Sequence, residues 1–182
     1  MRKLTKRALG LAFVELCKSV PIQKISVKGF AKFAGISRQT FYNYFKDKAD
    51  LMNYSCELVT DEIISKMDGS VEGMHYGASE MARACLLNTN FFSQVVKYET
   101  QNNFSDHFKK KVLQVYIKAL RNKLNPEALS SDLETVVGIF SEGVSTYFLN
   151  WMRNGMKEAP EKVGDNIVAA MPECIKSILL KR

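Results

Sequence analysis

The fold of this chain is decided by the stretch SVKGFAKFAGISRQTFYNYF, which covers residues 26–45. Ser26 and Ser37 are residue types that favour the N-cap position, and each precedes a short stretch with apolar residues at helical spacing. Gly35 lies between the two stretches and can take the left-handed backbone conformation that ends a helix sharply. The pattern therefore predicts two short helices joined by a tight turn, which is the helix-turn-helix plan.

The two helices are expected over Val27–Ala34 and about Arg38–Phe45. Phe41 and Phe45 are spaced i, i+4 in the second helix and are expected to face inward. The outer side of that helix then carries donors and acceptors of the kind that read base edges or hold phosphates. These outer residues are Arg38, Gln39, Thr40, Tyr42 and Asn43.

Further candidate phosphate partners flank the second helix. Ser37 brings a helix N-terminus, whose dipole favours phosphate, close to the DNA backbone. Lys46 and Lys48 follow the second helix and Lys28 begins the first, so each ammonium group is a candidate phosphate partner.

Positive charge is concentrated in the same part of the chain. The 182 residues carry a formal net charge of +7. Residues 1–50 hold 11 Lys/Arg against 3 Asp/Glu, whereas residues 51–182 hold 15 against 16. A basic module on a nearly neutral body suggests a polyanionic partner, although a solvated basic face without a partner is the plainer alternative.

The remainder of the chain is helical in character, with no alternating strand pattern of useful length. Further helices are predicted over residues 3–19, 48–66, 79–87, 90–101, 105–124, 131–155 and 160–180. Asn125-Pro126 and Gly155 are expected to end two of them, and Pro172 is expected to interrupt the last. Gly69–Gly77 is expected to be a loop. The predicted fold class is therefore all-α, with two lobes that share a helix near residues 48–66.

Several classes of protein are excluded by what the sequence lacks. The longest apolar run, Ala8–Val14, has seven residues, far fewer than a membrane-spanning helix needs, and no secretory cleavage site follows it. The four cysteines are too far apart for a metal knuckle or a redox motif, and His75 and His107 are isolated. We also find no nucleophile motif, Gly-rich phosphate loop or paired-carboxylate signature. A cytoplasmic protein with no metal, no cofactor and no enzymatic activity is expected.

Residues 27–51 closely resemble the DNA-binding signature of TetR/AcrR-family transcriptional regulators. The parts that carry this resemblance best are Ala34-Gly35-Ile36-Ser37, Thr40-Phe41-Tyr42, Tyr44-Phe45 and Lys48 with Leu51. The resemblance implies phosphate contacts by Thr40, Tyr42, Tyr44 and Lys48. It also implies that Arg38 and Gln39 face bases and that Lys28 reaches a base or the backbone.

The resemblance extends to the C-terminal part of the chain. Residues 90–155 are similar to the C-terminal domain of many regulators from Firmicutes. In this family the regulatory lobe is all-helical, and its last two helices pair with those of a second subunit. The resemblance therefore implies a three-helix helix-turn-helix DNA-binding domain over residues 1–47 and a helical ligand-binding and dimerisation domain over residues 48–182.

Two sets of residues in the C-terminal part are candidates for binding, and plain core packing is the alternative for both. Methionine and aromatic side chains adapt to irregular apolar ligands, and Gly in a helix permits close approach of another helix. The candidate effector-binding residues are Met81, Phe91, Phe92, Val95, Phe108, Tyr116, Phe140 and Tyr147. The candidate dimer-interface residues are Ile139, Gly143, Trp151, Ile167, Met171 and Ile175.

The sequence thus predicts a homodimeric, sequence-specific DNA-binding regulator. A repressor that a small apolar effector releases from a palindromic, double-stranded DNA operator is the expected form. The alternative is a basic membrane-surface or adaptor protein that uses residues 2–18 as an amphipathic helix. The operator, the target genes, the effector and the sign of regulation do not follow from the sequence.

Overall fold

The computed structural model describes residues 2–98, 104–124 and 130–180, with side chains from Thr5 onward. The helices in chain order are α1 (Arg2–Leu16), α2 (Val27–Phe33), α3 (Arg38–Tyr42), α4 (Lys48–Ser65), α5 (Val71–Leu87), α6 (Thr89–Val95), α7 (Phe104–Lys123), α8 (Ser131–Arg153), α9 (Pro160–Ala169) and α10 (Glu173–Leu179). A short 3₁₀ turn, Ile22–Lys24, lies between α1 and α2. The predicted all-α fold is confirmed, since the described residues form helices and turns and no strand.

The chain divides into two compact units. The first unit comprises Met1–Asp61 and Asn88–His107, and the second comprises Glu62–Leu87 and Phe108–Arg182. Helix α6 therefore belongs by its packing to the unit that holds the helix-turn-helix. The predicted division into domains over residues 1–47 and 48–182 stays a prediction.

Buried aromatic rings form the core of the first unit. The ring of Phe30 lies edge-on to the rings of Phe13 and Phe41, with centroids 5.7 and 6.0 Å apart. Phe91 of α6 meets Phe13 in the same manner at 6.3 Å. Each such aromatic pair adds about 0.5–1.5 kcal/mol beyond the burial of its area. These rings fix α1, α2, α3 and α6 to one another.

Helices α1 and α4 cross closely at Gly10. A Cβ atom at this position would lie 2.6 Å from Cδ1 of Leu58, so a side chain there would force the Leu58 side chain to move. The buried hydroxyl of Ser55 donates to the carbonyl oxygens of Leu51 and Gly10, at 2.7 and 3.1 Å. The first long helix and the start of α4 are therefore held together by a small-residue contact and a buried hydrogen bond.

Helices α5 and α9 pack tightly in the second unit. A Cβ atom on Gly164 of α9 would lie 2.2 Å from the Ser79 hydroxyl and 3.0 Å from the backbone oxygen of His75. The first distance is too short for a real side-chain carbon and the second is unusually short, so a side chain at this position would force the two helices or the Ser79 side chain to shift.

The loop predicted over Gly69–Gly77 is wrong, because α5 begins at Val71. The Ser70 hydroxyl accepts the backbone N–H of Gly73 at 2.9 Å, which is an N-cap bond that starts the helix. Gly73 and Gly77 lie inside this helix, where a Cβ atom would come within 2.2 Å of Oδ1 of Asp68 and 2.3 Å of the Met67 sulfur respectively. These glycines serve close packing, although in the sequence they are indistinguishable from turn signals.

Other helix limits follow the predicted signals. Ser130 caps α8 through the Leu133 N–H at 3.2 Å, and Gly155 after its end has φ +87°. Pro172 separates α9 from α10, as predicted. The predicted stop at Asn125-Pro126 lies outside the described residues. The helix predicted over residues 90–101 is too long, because α6 ends at Val95 and residues 96–98 are not helical. Within the described ranges, no helix is long and apolar enough to cross a membrane.

Candidate nucleic-acid interface

The helix-turn-helix is built by two capped helices and one left-handed glycine. The Ser26 hydroxyl accepts the Gly29 N–H at 3.0 Å, and the Ser37 hydroxyl accepts the Thr40 N–H at 2.9 Å. Gly35 has φ +66°, the conformation that costs an L side chain about 1–2 kcal/mol. These local features end α2 and begin α3 close to the residues that the sequence predicts. The predicted end of α3 at Phe45 is wrong, because the helix ends at Tyr42 and Asn43 caps it.

The outer side of α3 carries polar groups at the surface. Arg38, Gln39, Tyr42 and Asn43 are exposed, and Tyr42 retains 48% of its accessible surface. Phe41, between them, is fully buried and holds the helix against the core. The arrangement gives α3 an anchored inner face and an outer face of hydrogen-bonding groups.

The remaining candidate contacts differ in exposure. Lys28 and Lys46 are both exposed, at the two ends of the motif. Thr40 is half-buried, and its hydroxyl lies 2.9 Å from that of Ser37. Tyr44 is also half-buried, next to the fully buried Phe45.

Lys48 has an internal role that the sequence did not reveal. Its ammonium group donates to the carbonyl oxygens of Ile22 and Ile25, both at 2.8 Å. It also lies 4.6 Å from the ring centre of Tyr98. The phosphate contact implied for Lys48 by the family resemblance stays a prediction.

Lys6 of α1 is a basic residue of the same unit that no sequence motif marks. Its ammonium group lies 4.4 Å from the ring centre of Tyr54 and 5.2 Å from that of Phe45. Cation–π contacts of this kind contribute about 0.5–1 kcal/mol at exposed sites. Phe45 and Tyr54 are distant from Lys6 in the sequence. No local sequence pattern could therefore have predicted these contacts.

The candidate effector-binding residues fall into both units. Phe91, Phe92 and Val95 are buried in the first unit. In the second unit, the rings of Tyr116 and Phe140 lie 5.1 Å apart, and burial raises the pKa of the Tyr116 hydroxyl. Met81, Phe108 and Tyr147 are half-buried in that second unit. Their predicted role in binding an effector stays a prediction.

The candidate dimer-interface residues also divide by exposure. Ile139 of α8 is 71% exposed, and a Cβ atom on the exposed Gly143 would meet nothing within 4 Å. The other four are buried in the second unit: Trp151, Ile167, Met171 and Ile175. In addition, the Trp151 indole N–H donates to the carbonyl oxygen of Glu158 at 3.2 Å. Among these six candidates, Ile139 and Gly143 therefore lie on a surface of the single chain that a partner could cover.

The described residues give little support for a metal site or a reactive thiol. Among them, no three His, Cys, Asp or Glu side chains gather in a way that could hold a metal ion. Burial raises the pKa of the Cys17 thiol to about 12, against the opposing effect of nearby Lys48, so this thiol is not reactive at neutral pH.

A basic unit that presents a helix-turn-helix, joined to a second helical unit, defines the class of helix-turn-helix transcriptional regulators. Residues 72–172 match the family TetR_C_8, the transcriptional regulator C-terminal region. Because this match covers more than half of the chain, the chain belongs to the TetR family of transcriptional regulators. The resemblance stated from residues 27–51 and 90–155 is thereby confirmed.

Individual relatives agree with this assignment. The chain is 36% identical over 62 residues to the HTH-type dhaKLM operon transcriptional activator DhaS of Lactococcus lactis subsp. lactis (strain IL1403), which is 34% of this chain and 33% of that protein. The match thus spans about a third of the length of this curated relative.

Solved structures share the fold over almost the whole chain. The dihydroxyacetone kinase operon activator DhaS has a TM-score of 0.64 at 22% identity and covers 91% of this chain and 92% of its own. The TetR family repressor AlkX from Dietzia sp. strain DQ12-45-1b, implicated in biodegradation of n-alkanes, has a TM-score of 0.62 at 13% identity. It covers 94% of this chain and 95% of its own. These structures show the shared fold, whereas the family match makes the chain a transcriptional regulator rather than an enzyme.

Proposed function

We propose that this protein is a homodimer that binds a palindromic operator and represses transcription until a small apolar effector releases it. The observation that carries the proposal is the exposed polar face of α3, held by a buried ring beneath it. This face lies in the part of the chain that holds the whole positive excess, 11 Lys/Arg against 3 Asp/Glu in residues 1–50. We place the protein in the cytoplasm, together with the DNA that it would bind.

The contacts to DNA divide into two kinds in this proposal. Arg38 and Gln39, at the N-terminal end of α3, would read base edges, because recognition helices enter the major groove by that end. The other candidate residues would hold phosphates and set the register on the duplex. They are Lys28, Ser37, Thr40, Tyr42, Asn43, Tyr44, Lys46 and Lys48.

A twofold-symmetric pair would place two such helices on successive turns of the same DNA face. Half-sites would then lie about 34–36 Å apart, or at a multiple of that spacing. The exposed stripe of α8 around Ile139 and Gly143 supports dimerisation, since a large apolar side chain beside open space can pack against its symmetry mate. The other four residues of the predicted interface, Trp151, Ile167, Met171 and Ile175, are buried in the single chain.

The dimer surface can be tested with a matched pair of variants. Ile139→Glu would bring one carboxylate from each copy into an apolar contact near the twofold axis, and we expect a shift to monomer in sedimentation velocity. Leu87→Glu is the control, because Leu87 is 80% exposed and lies outside the proposed surface. If both variants stay dimeric, or both dissociate, the assignment to α8 is wrong.

An effector would act through differential affinity for two arrangements of the dimer. If it binds better when the two recognition helices are badly spaced for the operator, it lowers operator affinity by the same coupling factor. In this proposal the effector contacts the rings of Tyr116 and Phe140, which are buried in the second unit.

Activation is the second candidate, because the relative that is 36% identical over 62 residues is described as a transcriptional activator. A reporter gene driven by the natural promoter distinguishes repression from activation. Deleting the gene raises reporter output if the protein represses and lowers it if the protein activates.

The structure of α1 argues against the alternative of a membrane-surface protein. Leu9, Phe13 and Leu16, which form the apolar side of this helix, are all buried in the first unit. An amphipathic helix that lies on a membrane needs that side for the lipid.

The proposal is tested by selecting bound sequences from a random pool of double-stranded DNA. We expect an enriched palindrome whose affinity falls steeply with salt, since each neutralised phosphate contributes about −0.9 to the slope of log K against log salt. Weak binding that enriches no sequence would contradict operator recognition.

A further inference from the structure

The connection between α1 and α2 is held by a glutamine from α6. The backbone N–H of Ile22 donates to Oε1 of Gln94 at 2.8 Å, and Nε2 of Gln94 donates to the carbonyl oxygen of Cys17 at 2.9 Å. The same Nε2 also donates to the carbonyl oxygen of Asn90 at 2.7 Å, within α6. One side-chain amide therefore joins the end of α1 to the 3₁₀ turn and is itself fixed on its own helix.

A second side chain holds the same turn from α4. The ammonium group of Lys48 donates to the carbonyl oxygens of Ile22 and Ile25, both at 2.8 Å. Its position is supported by the ring of Tyr98, which follows α6. Ile22 thus has its backbone N–H bound from α6 and its carbonyl oxygen bound from α4. We call Gln94 and Lys48 together the turn clamp.

Burial makes these bonds necessary for the observed turn. Ile22 is fully buried, and Ile25 is 4% exposed. A buried backbone N–H or carbonyl group without a partner is costly, so removal of the amide favours a displaced turn. Helix α2 begins at Val27, two residues after Ile25. The position of the turn therefore determines where α2, and α3 after it, stand on the rest of the unit.

We infer that Gln94 is a positioning residue for operator recognition, although it lies on α6 and outside the helix-turn-helix. The inference rests on the proposed function. Base contacts need α3 to be placed within a fraction of an ångström, whereas phosphate contacts by long side chains tolerate a small shift. Disruption of the turn clamp therefore weakens binding to the operator more than binding to random DNA.

The variant that tests this is Gln94→Met, which has a similar length and removes every hydrogen bond of the amide. Lys48 is unsuitable, because a phosphate contact is also assigned to it. Gln114→Met is the matched control, since Gln114 is an exposed glutamine on α7. Operator affinity, affinity for random DNA of the same length, and hydrogen exchange at the Ile22 amide are measured for each protein.

For Gln94→Met we expect operator affinity to fall about tenfold, which corresponds to about 1.4 kcal/mol. Affinity for random DNA and its salt slope should stay at the wild-type values, and the Ile22 amide should exchange faster. The control should match the wild type in all three measurements. A lower fraction of folded protein would reduce operator affinity and random-DNA affinity by the same factor. The ratio of these two affinities therefore distinguishes a displaced α3 from a loss of folded protein.

If Gln94→Met does not fold cooperatively, Gln94→Glu takes its place in the same measurements. It keeps an acceptor for the Ile22 N–H but removes the donor to Cys17, and operator affinity should still fall more than affinity for random DNA. An unchanged ratio of the two affinities in the folded variant would overturn the inference. A wild-type protein that selects no DNA sequence would instead contradict the proposed function, and the positioning role with it.

Discussion

Glycine has opposite uses in the helix-turn-helix and in the contact between α5 and α9. Gly35 has φ +66° and open space around the position of a Cβ atom, so it is needed for its backbone conformation. Gly164 lies within α9, where a Cβ atom would be 2.2 Å from the Ser79 hydroxyl, so it is needed for its lack of a side chain. The first use can be recognised from neighbouring residues, whereas the second depends on a helix that is distant in the sequence. Substitutions at the two positions should therefore fail for different reasons.

The largest effect is expected for Gly164→Val. Both the Ser79 hydroxyl and the backbone oxygen of His75 occupy the space that the new side chain needs. We expect the free energy of unfolding to fall by about 3 kcal/mol, at the upper end of what overpacking costs. Urea denaturation measures it.

A compensating pair checks the cause of that destabilisation. Gly164→Ala combined with Ser79→Gly removes the nearer obstacle and should recover part of the stability that Gly164→Ala alone removes. The oxygen of His75, 3.0 Å from the Cβ position, prevents full recovery. Strictly additive effects of the two substitutions would show that the close approach is not the cause.

A smaller effect is expected for Gly35→Ala. No atom lies within 4 Å of the Cβ position, so the penalty is only that of the left-handed backbone, about 1–2 kcal/mol. Gly35→Asn is the control, since asparagine tolerates this conformation better than other residues do. Equal thermal stability of the alanine variant and the wild type would contradict the role assigned to Gly35.

The smallest effect, of opposite sign, is expected for Gly138→Ala in α8. This glycine lies inside a helix, and a Cβ atom there would meet nothing within 4 Å of the single chain. Alanine is a better helix former than glycine, so the free energy of unfolding of the variant should rise by about 0.5–1 kcal/mol. The free energy of unfolding should be measured at several protein concentrations, because it then also reports on dimerisation. If a second subunit packs against Gly138, the substitution should destabilise the protein instead.

The parts of the fold that were predicted depend on local signals. Ser26, Gly35 and Ser37 each act on backbone groups within a few residues, and Pro172 interrupts a helix by itself. The inner side of α3 follows from Phe41, and Phe45 is buried as predicted although it lies beyond the end of the helix. These effects are visible in any short window of the sequence.

The parts that were missed depend on contacts between distant residues. Gln94 binds the backbone of Ile22, 72 positions earlier, and Lys48 binds the same residue from 26 positions later. In α5, Gly73 and Gly77 resemble loop residues until their close approach to Asp68 and Met67 is known. No periodicity or capping rule describes such contacts.

DNA recognition by α3 is tested most directly by operator binding of the double variant Arg38→Ala/Tyr42→Ala over a range of salt concentrations. The control is Arg121→Ala/Tyr76→Ala, which removes the same residue types and the same charge from exposed positions of the second unit.

We predict that the double variant stays folded and that its operator affinity falls by about a hundredfold or more. Its salt slope should become shallower by about one for every phosphate that is no longer neutralised. The control should bind as the wild type does. Unchanged affinity and slope in the folded double variant, or an equal decrease in the control, would contradict the assignment of DNA recognition to α3.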